Sequence, residues 1–128
     1  MTQDEAATHW QKRARAELKT ARVIFEQEDP ELYGEAIFHC HLAVELALKA
    51  RHLEELNKPA PFIHNLGELA HALRGEWTED ELDDFDELSD SALLARYGDR
   101  EWYEQSATKE NAGRWIEKVE RMLSKIQL

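Results

Sequence analysis

Cysteine occurs once in these 128 residues, at position 40, which excludes an internal disulfide and suits a reducing compartment. Three prolines and five glycines leave little punctuation, which favours a few long helices over many short strands. No apolar run approaches the ~20 residues that a membrane span needs. The opening Met1-Thr2-Gln3-Asp4-Glu5 lacks the basic-then-apolar pattern of a signal peptide, so the cytoplasm is the expected location. Cations are scarce: 16 Lys and Arg stand against 27 Asp and Glu, a net charge of −11. Such a field repels phosphate and argues against non-specific nucleic-acid binding. Residues 76–90 hold nine acids and no Lys or Arg, so the average describes no local surface.

The motifs of several chemistries are also missing. There is no Cys-x2-Cys, no His-Glu-x-x-His and no pair of Glu-x-x-His motifs of the kind that helical metal bundles use. A phosphate-binding glycine loop and a nucleophile elbow are absent too. His39 and His41 flank Cys40, but on a helix they diverge by about 200° and cannot share one ion. No metal or cofactor is expected, and Cys40 reads as an inert core thiol.

What is present is helical periodicity. Ala7, Trp10, Ala14, Leu18, Ala21 and Phe25 line one face of a helix over about residues 5 to 28. Lys12, Arg15, Lys19 and Arg22 make a basic stripe beside it. The stripe is either a solvated flank paired with acids or a ridge that meets phosphate or a partner. Asp29-Pro30 ends this helix. The second, over about 31 to 56, is apolar around much of its circumference and therefore central. Its polar ridge, His41, Glu45, Lys49 and His52, is informative for that reason. After Pro59-Ala60-Pro61, Asn65 is expected to cap a short helix, with Glu68 completing a capping box and Gly75 ending it. Thr78 and Glu81 form the box of a fourth helix, which carries Phe85, Leu88, Ala92 and Arg96 on one face and ends at Gly98. Residues 98–107 are expected to be a loop or frayed turn. A last helix from near Thr108 has the stripe Ala112, Trp115, Ile116, Val119, Met122, Leu123 and Ile126. The fold expected is all-α: a single up-and-down bundle of four long helices plus one short one, in one domain over residues 1–128.

Arg96 is the pivotal residue. A guanidinium on an apolar helix face needs a counter-anion, either a carboxylate of this protein or a phosphate from a partner. Glu45, on the polar ridge of the second helix, is the internal candidate for a buried ion pair.

Several segments resemble small prokaryotic HEPN-domain proteins. They are His9-Trp10-Gln11-Lys12-Arg13-Ala14, the run Ala36-Ile37-Phe38-His39-Cys40-His41-Leu42-Ala43-Val44-Glu45-Leu46-Ala47-Leu48-Lys49-Ala50, and His64-Asn65-Leu66-Gly67-Glu68-Leu69. Ala95-Arg96-Tyr97-Gly98-Asp99 is similar to an Ala-Arg-Tyr-Pro-Asp stretch of the same group, with Gly98 in the proline position. The resemblance spans nearly the whole chain. It implies a helical bundle that homodimerises and partners a minimal nucleotidyltransferase, as a toxin–antitoxin or nucleotide-handling module. Many relatives are metal-independent ribonucleases with an arginine, four to six residues, a histidine, one residue and a tyrosine. In this chain Arg96 and Tyr103 take the outer positions, but position 101 is Glu. A carboxylate with a pKa of ~4.3 does not donate protons at neutral pH, and it repels phosphate.

The resemblance therefore implies a non-catalytic module, with Arg96, Lys49 and His64 as candidate phosphate contacts and Tyr103 as a candidate for nucleotidylation. The alternative is a ribonuclease in which Glu101 or His64 fills the missing role; RNA is not the favoured ligand. Each of these residues also has a plainer reading. Arg96 neutralises Glu45 or an acid across a dimer, His64 orients the Asn65 cap, Glu101 is solvated, and Trp102 and Tyr103 are packing aromatics.

Overall fold

The computed structural model describes residues 2–127 and is all-helical, with no strand among them. Six helices follow in order: α1 (Gln3–Glu26), α2 (Tyr33–Leu56), α3 (Leu66–His71), α4 (Glu79–Tyr97), α5 (Arg100–Ser106) and α6 (Lys109–Ile126). Each long helix begins and ends for a local reason. The Thr2 hydroxyl caps α1 by accepting from the Glu5 N–H, so that helix starts two residues before the apolar stripe suggests. Pro30 separates α1 from α2, and α2 begins at Tyr33 rather than 31. Thr78 and Glu81 form a reciprocal capping box at α4.

α2 is the axis of the bundle. It packs against α1, α3, α4 and α6. Ala36, Ile37, Cys40, Ala43, Val44, Ala47 and Leu48 are all inaccessible to solvent. A helix enclosed in this way needs small residues where backbones approach, and its buried alanines supply them. Trp115 and Val119 of α6, Phe85 and Leu88 of α4 and Leu66 and Leu69 of α3 close the core. The full apolar stripe of α6 is buried. α4 and α6 are joined by ion pairs: Lys118–Asp84 at 2.8 Å, Lys125–Glu81 at 2.7 Å and Arg114–Glu87 at 3.0 Å. Part of the acidic run is thus a seam to the last helix.

Four expectations are corrected. Residues 100–106 are a helix, because the Asp99 carboxylate accepts from the Trp102 N–H and caps it. α3 ends at His71, before Gly75. Asn65 caps α3 through the Glu68 N–H, but no reciprocal bond from Glu68 accompanies it. Trp10 is exposed, and Glu17 instead shares the buried face of α1 with Ala14, Leu18 and Ala21. Gly98 does end α4: its N–H donates to the Leu94 carbonyl at 2.6 Å, and a Cβ there would collide with that oxygen. Proline at this position would lose the bond.

Thr78→Ala removes one side of the only capping box found among the described residues. It should lower unfolding free energy by about 1 kcal/mol, read as a shifted urea midpoint with an unchanged slope.

Candidate functional site

α2, the segment before α3, and α4 enclose a groove of about 500 Å³. Glu45 lies on its α2 wall with a side chain only 8% exposed. A carboxylate so enclosed must have partners. Its Oε2 meets Lys49 Nζ at 3.3 Å, one turn along the helix. Its Oε1 accepts from Nδ1 of His64 at 2.9 Å. His64 is held a second time through its backbone, whose carbonyl accepts from Nε2 of His41 at 3.0 Å. Two residues on, the Leu66 N–H donates to the Ser89 hydroxyl of α4 at 2.9 Å. The segment from His64 to Leu66 is therefore tied to both flanking helices.

These bonds set tautomers. A carbonyl only accepts, so the proton of neutral His41 sits on Nε2. Its Nδ1 is then a buried lone pair with no hydrogen-bond partner, 4.0 Å from Glu45 Oε1. Burial pushes the pKa of His41 below the ordinary histidine value, against the weaker upward pull of the His64 carbonyl and Glu45. In His64, Nδ1 is committed as donor to Glu45, which leaves Nε2 as the free acceptor on a side chain that is 79% exposed.

Arg96 closes the α4 side. It is not buried and does not meet Glu45. Its side chain is 42% exposed and lies over the Phe38 ring, with Cζ 3.6 Å from the centroid. Its nearest acid is Glu35, at 3.6 Å, too long for a hydrogen bond. The physical reason is position: Ala92 and Ala95 are the buried residues of this turn, and Arg96 falls just past them at the rim. There its flat head covers an aromatic and stays in water.

The structure thus brings Arg96, Glu45 and His64 to one groove and leaves the other candidates outside it. Lys49 is held by Glu45 and does not line the groove. Glu101 is exposed on α5, where it accepts from Gln105. Tyr103 donates its hydroxyl to the Ala95 carbonyl, and its ring packs on α2, so close that a Cβ on Gly34 would lie 3.0 Å from it. It anchors α5 to the bundle. Cys40 is buried, with its thiol pushed up to about 12 by desolvation. Among the described residues no three His, Cys, Asp or Glu side chains gather as metal ligands would.

Sequence reasoning missed one polar cluster. Glu17, nearly buried on α1, accepts from Arg13 at 2.8 Å and from His39 at 2.6 Å. Its signal was available, since Glu17 falls between Ala14 and Ala21 on the apolar face. The basic stripe is solvated, with Arg22 paired to Glu120 of α6 at 2.7 Å.

A family model described as HEPN domain matches residues 7–128. The chain belongs to the HEPN domain family. Among solved structures, this HEPN chain is similar to the crystal structure of TT1696 from Thermus thermophilus. The two are 22% identical, over 94% of this chain and 95% of that one, with a TM-score of 0.78. That likeness shows a shared fold. No curated protein matches.

A histidine kept neutral by burial gains a proton on unfolding. Its lowered folded pKa therefore makes stability fall as pH drops through the unfolded value of about 6.5. Between about pH 7.5 and 5 the urea midpoint should decline, above the range where ordinary carboxylates titrate, and His41→Gln should flatten that slope.

Proposed function

We propose that this HEPN domain is a non-catalytic module that homodimerises, partners a minimal nucleotidyltransferase and offers the α2–α4 groove to a nucleotide. The observation that carries the reading is the placement of Arg96. Its guanidinium lies along the groove wall without a hydrogen-bonded counter-anion, so it is available to a ligand phosphate. Position 101, where a ribonuclease of this family would carry its histidine, is a carboxylate outside the groove. Beside Arg96, Leu93, Leu94 and Tyr97 expose apolar surface along α4, which supports a second copy as the occupant of that face.

One observation favours the ribonuclease reading instead: His64 lines the same groove as Arg96 and supplies an imidazole that position 101 lacks. The two readings separate cleanly. Under the first, purified protein in excess chelator leaves single-stranded RNA intact, and Arg96→Ala changes nothing. Cleavage that disappears with Arg96→Ala would establish the enzyme.

Light scattering should give a dimer mass that Leu93→Glu with Leu94→Glu converts to monomer. A monomer mass at every concentration would remove the dimer. Calorimetric titration with AMP should release or absorb heat that Arg96→Ala abolishes. Co-expression with a small nucleotidyltransferase encoded beside this gene should yield a co-purifying complex.

A further inference from the structure

We infer that His64 and Arg96 form a two-sided phosphate clamp in the α2–α4 groove, in which Glu45 is a positioning residue that presents His64 Nε2 to the ligand. The inference rests on the groove being a ligand site and names its ligand: a phosphate monoester of about the size of a nucleoside monophosphate.

His64 is unusual for an exposed histidine. Its ring is anchored at Nδ1 by a nearly buried carboxylate, at 2.9 Å, while its backbone carbonyl is held by His41 at 3.0 Å. An exposed side chain gains little stability from such anchoring, but it gains a defined tautomer. Nε2 is then a proton acceptor whose direction the fold sets. Nearby, Nδ1 of His41 is buried without a hydrogen-bond partner, an unmet lone pair that accompanies the bond securing the His64 backbone.

The charges select the ligand's protonation state. The titratable and charged groups that face His64 are Glu45 and His41 from α2, Lys49 acting through Glu45, and Asp90 and Arg96 from α4. Lys49 neutralises Glu45, which leaves Arg96 against Asp90. A dianionic phosphate would add two negative charges beside Asp90. A monoanion adds one, and its P–O–H proton can be shared with Nε2. Whether that proton sits on oxygen or nitrogen, the pair's total charge is the same. The guanidinium meets the remaining oxygens. The apolar wall of Phe38, Leu42, Ala92 and Leu93 suits a flat ring beside the phosphate. Lys49, spent on Glu45, does not line the groove.

The test uses the full chain with 15N-labelled histidine, titrated with inorganic phosphate and with AMP. The ring nitrogens of His64 should report the Nδ1–H tautomer, and either probe should move the Nε2 signal. Calorimetric affinity for AMP should fall about fivefold or more between about pH 6.5 and 8.5, as the shared proton is lost. Removing a charge-assisted hydrogen bond by His64→Ala should weaken AMP binding about tenfold or more and erase that pH dependence. Glu45→Gln should give mixed His64 tautomers and weaker binding. Lys19, exposed on α1 and outside the groove, serves as the control: Lys19→Met should leave AMP affinity within about twofold.

The outcomes distinguish the clamp from the broader nucleotide reading. AMP binding with no change at the His64 ring overturns the clamp and leaves the nucleotide reading standing. Phosphate moving Nε2 while AMP gives no binding heat keeps the phosphate contact at His64 but overturns the monophosphate-sized ligand, and it defeats the nucleotide reading. Mixed His64 tautomers in the unsubstituted protein, or silence towards both probes, overturns the clamp.

Discussion

Glu45 is a carboxylate on a helix packed against four others, and much of the molecule's polar architecture follows from satisfying it. A charge taken out of water costs several kcal/mol unless it is paired and hydrogen-bonded. α2 supplies one partner, Lys49, from its own next turn. The other, His64, arrives from the segment that follows the proline-containing break. Once His64 is bound, its carbonyl accepts a hydrogen bond from Nε2 of His41 and the next turn takes its cap from Asn65. Ser89 then receives the Leu66 N–H while donating to the Phe85 carbonyl. One buried charge thus decides where α3 begins and how it meets α4, and so defines the rim of the groove.

The guanidinium across the groove obeys the same rule with the opposite result. Arg96 escapes desolvation by lying flat on Phe38 at the rim, so it needs no buried anion. Its distance from Glu35 and its partial exposure make that pair a weak one. A cation held in place by an aromatic rather than by a carboxylate keeps its hydrogen-bonding capacity for something else. The two walls are therefore unequal: the α2 wall carries a network whose open atoms are Nε2 of His64 and the buried Nδ1 of His41, and α4 supplies a donor that is open.

Periodicity made the skeleton legible. The α6 stripe, the Thr78–Glu81 box, the Asp29-Pro30 break and the enclosure of α2 all follow from spacing that acts within one helix. The ridge of His41, Glu45 and Lys49 was legible for the same reason. The partner of Glu45 was not. Arg96 and His64 were both polar residues at the edges of apolar segments, and only the path of the chain between α2 and α3 chooses His64. α5 escaped because seven residues are too few to show a 3.6-residue period, although its Asp99 cap is a local signal. Glu17 shows the limit from the other side. A lone acid on the apolar face of α1 is the mirror image of an arginine on the face of α4, yet it is the acid that is buried, with Arg13 and His39 around it.

The charge balance bears on what the groove can hold. The protein carries −11 overall, and α6 cations already neutralise Asp84, Glu81 and Glu87. Basic residues on α1 face solvent on a different helix pair, and one of them is paired with Glu120. The anion proposed for the groove would therefore be attracted by local groups alone, at short range, where screening is weak and geometry decides. It has one open guanidinium and one oriented imidazole against Asp90. The proposed clamp would discriminate by protonation state. Each added negative charge on the ligand meets Asp90 and the long-range field, whereas a shared proton offsets both. A polyanion gains only one guanidinium and is repelled by the remaining surface, which is the electrostatic reason to place a small phosphate ester, rather than an RNA strand, between α2 and α4.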